Sequence, residues 1–284
     1  MNKLEQIIND KLMPLAEKLT KNKILGALME GFIRTSPITL GIALITIVGN
    51  FPVPGWTQYL ESIGIMQHVN AITNGATGVL TLYVIYSLAM AYASRIGTNE
   101  KNSAIISLAF FIMIMPQTMT TSAMQDGKLV ESTINALKLD YLGGQGLFIG
   151  MIIALVVTRL YAYLSSKNLS FKLPDTVPPM VSQSLSPVFV VTIIFVLAFI
   201  IRVGFSYTSA GDMINFFIQV LNAPLMSLTA SPLSIIIIMG LLAILWFFGI
   251  HNAVLQGPLG VISLTMVMGN ITAYQNGQEL PYLL

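Results

Sequence analysis

The chain of 284 residues is 55% hydrophobic and only 9% charged, and its mean hydropathy is +0.77. Soluble domains carry about 25% charged residues, so this composition excludes a water-soluble fold and predicts an all-α polytopic membrane protein. The formal net charge of +2 and the lack of a basic tract argue against a nucleic-acid partner.

The chain contains no cysteine and only two histidines, which lie far apart. Disulfides, thiolate metal ligands and a cysteine nucleophile are therefore excluded within this chain. With few carboxylates as well, the sequence predicts neither a metal site nor a cofactor. The N-terminus lacks the short cleavable apolar run of a signal peptide, so the first span is expected to insert uncleaved.

Residues 1–30 are the most charged part of the chain, and they are predicted to form a cytoplasmic amphipathic segment. Leu4, Leu12, Leu15 and Leu19 recur there at helical spacing. A helix lying along the membrane surface fits this pattern. A soluble amphipathic tail that packs on the rest of the protein fits it equally well.

Five apolar stretches then form the predicted N-terminal half, which spans residues 31–205. Each is long enough to cross the hydrocarbon core of a bilayer, which needs about 20 residues. The predicted spans are 32–51, 75–94, 103–121, 144–164 and 187–203. Between the first two, a loop without Lys or Arg is expected, with Asn50 and Asn74 capping the helix ends and His68 solvated.

The distribution of Lys and Arg near the spans predicts the orientation. Six of them lie in the N-terminal tail with Arg34, and none lies in the first loop. The N-terminus and the loops around 95–102 and 165–186 are therefore predicted to be cytoplasmic. Arg95 is interpreted as an anchor of this kind. The loop around 126–140 carries charges of both signs and indicates neither side.

After residue 205 the apolar segments become shorter and are interrupted by Gly and Pro, a pattern typical of a transporter binding site. A run without charge, 234–248, stops at Gly249, followed by His251 and Asn252. Ionisable groups at membrane depth are by default functional candidates. His251 is therefore a candidate site residue, the alternative being a histidine that ends a spanning helix and reaches the interface.

Four motifs together carry a family resemblance. They are Gly31-Phe32-Ile33-Arg34-Thr35-Ser36-Pro37, Gly144-Gln145-Gly146-Leu147-Phe148, the stretch 173–181 with Val177-Pro178-Pro179, and the stretch from Trp246 to Asn252. In this order and on these spans, the chain resembles the enzyme IIC permease of the sugar phosphotransferase system, lactose/cellobiose type. The resemblance covers the chain from about residue 20 onward.

The resemblance implies a homodimer in a bacterial cell membrane, with residues 31–205 as an interface half and 206–284 as part of a substrate half with re-entrant helices. It implies that a β-linked disaccharide such as cellobiose, lactose or chitobiose is carried inward. A soluble partner bearing a phosphocysteine then phosphorylates the 6-hydroxyl of the sugar. The permease would be a transport subunit that is not catalytic by itself. The family's second key group, a glutamate, is expected beyond Leu284, so a truncated chain without transport activity is expected.

His251 matches the family's histidine near the sugar hydroxyl and is the predicted catalytic and substrate-binding residue. Asn252 stands where relatives commonly have Gly, and with Gln256 it is a candidate for hydrogen bonds to the sugar; satisfying a bent backbone is the alternative for both amides. Ser182 and Gln183 are weaker candidates for the pocket, because their proline-rich loop favours a rigid turn.

A different class, an ion-coupled secondary transporter or channel, would need carboxylates within the membrane. None of the twelve acidic residues falls in the middle of a predicted span, with the possible exception of Asp212. Coupling by phosphorylation needs no such group, so the sequence favours the phosphotransferase interpretation. An inactive membrane fragment is the third alternative.

Overall fold

A computed structural model describes residues 21–125, 128–167 and 187–220, with a few isolated positions elsewhere. Its regular elements follow one another in a simple order. The helices are α1 (Lys23–Gly49), α2 (Trp56–Ser62), α3 (Ile65–Ala76), α4 (Leu80–Ile96), α5 (Glu100–Ile114), α6 (Leu139–Leu142), α7 (Gly144–Ser166) and α8 (Val188–Ser206), and the strands are β1 (Thr118–Gln125) and β2 (Lys128–Asn135). Residues 213–220 are helical as well.

The predicted helical, polytopic membrane architecture is confirmed. By length and composition, four stretches of the described chain can cross a membrane: Lys23–Gly49, Ile65–Ile96, Gln145–Ser166 and Val188–Ser206. The second of these joins α3 and α4 through a short turn at 77–79. Helix α5 has 15 residues and is about 22 Å long, less than the roughly 30 Å of a hydrocarbon core.

The predicted span 103–121 is wrong in its second part, because α5 ends at Ile114. Pro116 explains this end, since the residue before a proline is driven out of the helical region; Met115 has extended backbone angles. The polar, threonine-rich residues that follow form β1, which pairs antiparallel with β2 from Thr118 opposite Asn135 onward. An all-α fold is therefore an incomplete description of the chain.

The predicted loop between the first two spans is also wrong, because α2 and α3 occupy it. Each helix is preceded by a glycine with left-handed backbone angles: Gly55 has φ +84° and Gly64 has φ +73°. Glycine adopts this region without steric cost. Asn50 caps α1 as predicted, whereas Asn74 lies inside α3. His68 is exposed as predicted, but it lies on α3 and not in a loop.

Helix α4 is the centre of the described fold and packs against α1, α5 and α7. Its side chains Val84, Ile85 and Leu88 are completely buried. Glycines on the neighbouring helices allow the close approach. A Cβ on Gly31 of α1 would lie 3.0 Å from the Leu88 Cα, and a Cβ on Gly150 of α7 would lie 3.0 Å from Ile85 side-chain atoms. Small residues serve this purpose in membrane helix pairs.

Arg202, near the end of α8, fixes the point where α5 gives way to β1. Its guanidinium donates hydrogen bonds of 2.8 Å to the Met113 carbonyl and 2.5 Å to the Met115 carbonyl. Carbonyls at the end of a helix lack partners within the helix and carry its negative dipole end. The arginine therefore satisfies these groups and connects α8 to α5.

Candidate functional site

The five predicted site residues, Ser182, Gln183, His251, Asn252 and Gln256, lie outside the described residues. So do the family motif at 173–181 and the stretch from Trp246 to Asn252. Their roles remain predictions. The other two family motifs are described, and the structure shows what each one does.

The motif that begins at Gly31 lies within α1, next to α4. Glu30, directly before it, accepts hydrogen bonds of 2.5 Å from Arg34 and from Arg95 at the end of α4. Arg95 also donates to the Ala91 carbonyl at 3.0 Å. The predicted anchor Arg95 is therefore half of an ion pair between two helices. Because Gly31 packs on Leu88 beside it, the motif joins α1 to α4.

The Gly144-Gln145-Gly146 motif opens α7 and is held against α4. The buried Thr81 hydroxyl donates a 2.5 Å hydrogen bond to the Gly143 carbonyl. Gly146 lies so close to the Tyr141 carbonyl oxygen that any Cβ there would overlap it. The described contacts of this motif are thus packing contacts. Gln145 itself lines a small cavity of about 200 Å³, together with Asn74 and Asp140.

A polar pocket of about 290 Å³ lies where β1, α6 and the helical residues 213–220 meet. The Tyr141 hydroxyl donates a 2.7 Å hydrogen bond to the Asn215 side-chain oxygen. Asp212 in turn accepts from the Asn215 backbone N–H at 2.9 Å and from its side-chain amide at 2.8 Å. Asp212 is therefore the cap of a helix and not a carboxylate in the middle of a span.

Burial raises the pKa of the Tyr141 phenol above its ordinary value of 10, and the Asp212 carboxylate raises it further. The phenol therefore stays protonated at neutral pH and acts as a hydrogen-bond donor. The sequence did not predict the contact between Tyr141 and Asn215. The one signal in the sequence is the spacing of Asp212 and Asn215, which is typical of a helix cap. Within the described ranges, no three His, Asp or Glu side chains come together as metal ligands.

Comparison with known proteins agrees with this architecture. The family model described as phosphotransferase system, EIIC, matches residues 29–284. The galactose-specific EIIC component of Lactococcus lactis subsp. cremoris (strain MG1363) is 43% identical over 292 residues, covering 100% of this chain and 65% of its own length. The cellobiose-specific EIIC component of Geobacillus stearothermophilus is 27% identical over 290 residues, covering 100% of this chain and 64% of its own.

A crystal structure shows the same fold. It is that of the IIC component from the N,N'-diacetylchitobiose-specific phosphotransferase system, with a TM-score of 0.76 and 26% identity, covering 97% of this chain and 65% of that one. The chain thus spans about two thirds of the length of these relatives. Because the family model matches nearly all of it, the chain belongs to the EIIC family of the phosphotransferase system.

Proposed function

We propose that this protein is the sugar-transporting membrane subunit of a phosphoenolpyruvate-dependent phosphotransferase system. The observation that carries the proposal is the match of the EIIC family model to residues 29–284. The substrate class is a β-linked disaccharide such as cellobiose, lactose or chitobiose, which is phosphorylated by a soluble phosphocysteine partner as it enters. Relatives specific for cellobiose and N,N'-diacetylchitobiose support this class, and the galactose-specific relative adds galactose as a candidate.

The charges within the described spans also favour this function over ion coupling. Among the described parts of the four spans, Glu30 is the one carboxylate, and it lies at the end of the segment 1–30 that the sequence predicts to be at the membrane surface. Its two oxygens are bound by Arg34 and Arg95. A carboxylate whose two oxygens each accept a hydrogen bond from a guanidinium group is already engaged and is poorly placed to bind a coupling ion. A proton-coupled or sodium-coupled transporter is therefore the less favoured alternative.

Uptake by membrane vesicles tests the proposal, with the complete gene product, including any residues beyond 284. Labelled cellobiose, lactose, N,N'-diacetylchitobiose and galactose are offered separately. We expect at least one of them to accumulate as its phosphate, and only when the soluble partner and the phosphoryl donor are present. Accumulation of free sugar under a proton or sodium gradient alone would refute the proposal.

The proposal also assigns a role to each part of the chain. Residues 31–205 form the interface half of a homodimer, residues 206–284 belong to the substrate half, and residues 1–30 lie on the cytoplasmic side. His251 aligns the sugar hydroxyl, with Asn252, Gln256, Gln183 and Ser182 as further pocket groups. Helix α1 begins at Lys23 and runs through Glu30 without a break. The proposed boundary between residues 30 and 31 therefore falls inside a continuous helix.

The proposed orientation places the N-terminus and the end of α7 in the cytoplasm of a bacterial cell, and it requires α5, short as it is, to cross back to the outside between α4 and α7. Lys167 is exposed at that helix end, and Glu131 is exposed on β2. Because the chain contains no cysteine, a single Lys167→Cys or Glu131→Cys variant reports one site cleanly. An impermeant maleimide applied to intact cells should label the variant at 131 and leave the variant at 167 unlabelled until the cells are opened. The reverse pattern would contradict the orientation.

A further inference from the structure

A groove of about 470 Å³ lies between the first turn of α1, the second half of α4 and the second half of α7, and we call it the α1–α7 groove. Ile24, Leu155, Val156 and Leu160 form its apolar floor, and Tyr92, Arg159 and Tyr163 also line it. All three helices belong to stretches that can cross a membrane. Ile24, Val156 and Tyr163 are exposed along it, so lipid can reach the groove if these helices cross the membrane.

Arg159 is an unusual residue for this position. It lies seven residues before the end of α7, which places its Cα about 10 Å along the helix from that end. Charged groups at such a depth normally pair with an opposite charge or with backbone carbonyls. Within the described residues no carboxylate lies within ion-pair distance of Arg159; the ion pairs found there join Glu30 to Arg34 and Arg95, and Asp140 to Lys138.

Arg159, Tyr163 and Lys167 follow one another at intervals of four residues, so they lie on one face of α7. The Lys167 ammonium lies 5.2 Å from the centre of the Tyr163 ring. Arg159 and two tyrosines thus line an apolar groove, and Lys167 lies one helical turn beyond it, against Tyr163. Tyrosine and basic residues are the side chains that meet lipid headgroups at the membrane interface, and basic pockets between helices bind anionic headgroups.

We propose that the α1–α7 groove binds an anionic phospholipid. One acyl chain lies along the apolar floor, and the headgroup phosphate meets the Arg159 guanidinium, with Lys167 adding attraction from the helix end. Charge complementarity selects this occupant: a sugar would leave the apolar floor unmatched, and a zwitterionic lipid would offer the cations no net charge. The proposal does not depend on which sugar is carried or on which side of the membrane the groove opens.

Lipid retention by the purified protein tests the proposal. Native mass spectrometry counts the lipids that remain bound during titration with phosphatidylglycerol or with phosphatidylcholine of the same chains. We expect the protein to retain phosphatidylglycerol in preference. The Arg159→Gln variant should bind it about fivefold more weakly, which corresponds to about 1 kcal/mol for one basic residue at the membrane surface. Lys101→Gln removes an exposed cation from the first turn of α5, outside the groove, and should leave the preference unchanged.

Two further variants test the contributions of charge and of the apolar floor separately. Lys167→Gln, at an exposed position, should weaken phosphatidylglycerol binding in the same direction and does not depend on how Arg159→Gln folds. Ile24→Ser should weaken the binding of both lipids because it alters the floor. Equal retention of the two lipids, an unchanged preference in both charge variants, or displacement of the lipid by inorganic phosphate alone would overturn the proposal.

Discussion

Replacing His251 by alanine in the complete gene product is expected to depress sugar phosphorylation far more than sugar binding. In the proposed site the imidazole aligns the acceptor hydroxyl and takes its proton, and both actions matter most in the transition state. General-base contributions are about 10²–10⁴-fold in rate, or roughly 3–5 kcal/mol. The measurement is partner-dependent phosphorylation beside equilibrium sugar binding, on protein matched for expression.

The second histidine provides the matched control. His68 is exposed on α3, and His68→Ala should leave both quantities unchanged. If His251→Ala binds and phosphorylates within about threefold of the parent protein, a difference of only ~0.65 kcal/mol, the site assignment is wrong. A histidine that only ends a helix would lower the yield of folded protein and nothing else.

The second large effect is expected from Gly146→Ala, at the start of α7. The added methyl group would overlap the Tyr141 carbonyl oxygen, and a backbone oxygen cannot move aside as a flexible side chain can. Overpacking of this kind costs typically about 1–3 kcal/mol. We therefore expect Gly146→Ala to unfold at a lower denaturant concentration, measured by titration of mixed micelles with sodium dodecyl sulfate.

Gly41→Ala is the control for helix propensity. Gly41 lies within α1, and a Cβ there would meet nothing within 4 Å. Alanine is favoured over glycine in a helix by up to about 1 kcal/mol, so this variant should be as stable as the parent or slightly more stable. Equal stability of Gly146→Ala and the parent would show that the start of α7 is not packed as described.

Composition and hydropathy sufficed to predict a helical polytopic membrane protein, because the cost of burying charge and unpaired backbone in lipid leaves few alternatives. The same reasoning predicted the ends of α1, α7 and α8 to within about three residues, except that α1 begins about nine residues earlier than predicted. It failed at α5, where Pro116 and the threonine-rich strand outweighed the apolar character of 103–121. It also failed at α2, a short helix with no required length, and at α3, whose polar residues Gln67, His68 and Asn70 obscure its continuation into α4 as one apolar stretch.

The family motifs could be recognised in the sequence, but their roles could not be read from it. Gly144-Gln145-Gly146 carries part of the family resemblance, and its described contacts are close packing contacts with α6 and with Thr81 on α4. The predicted site residues themselves lie outside the described residues. For them the sequence and the family remain the basis of the proposal.

The sequence by itself determined the membrane environment and the family, because both rest on composition and on motifs that are local in the chain. Only the tertiary structure decided which charges meet. Glu30 and Arg95 are 65 residues apart, and Arg202 reaches the carbonyls of Met113 and Met115, nearly 90 residues before it. Such pairs depend on which helices pack side by side, and the hydrophobic pattern of one helix does not specify its neighbour in lipid, where every apolar face is acceptable.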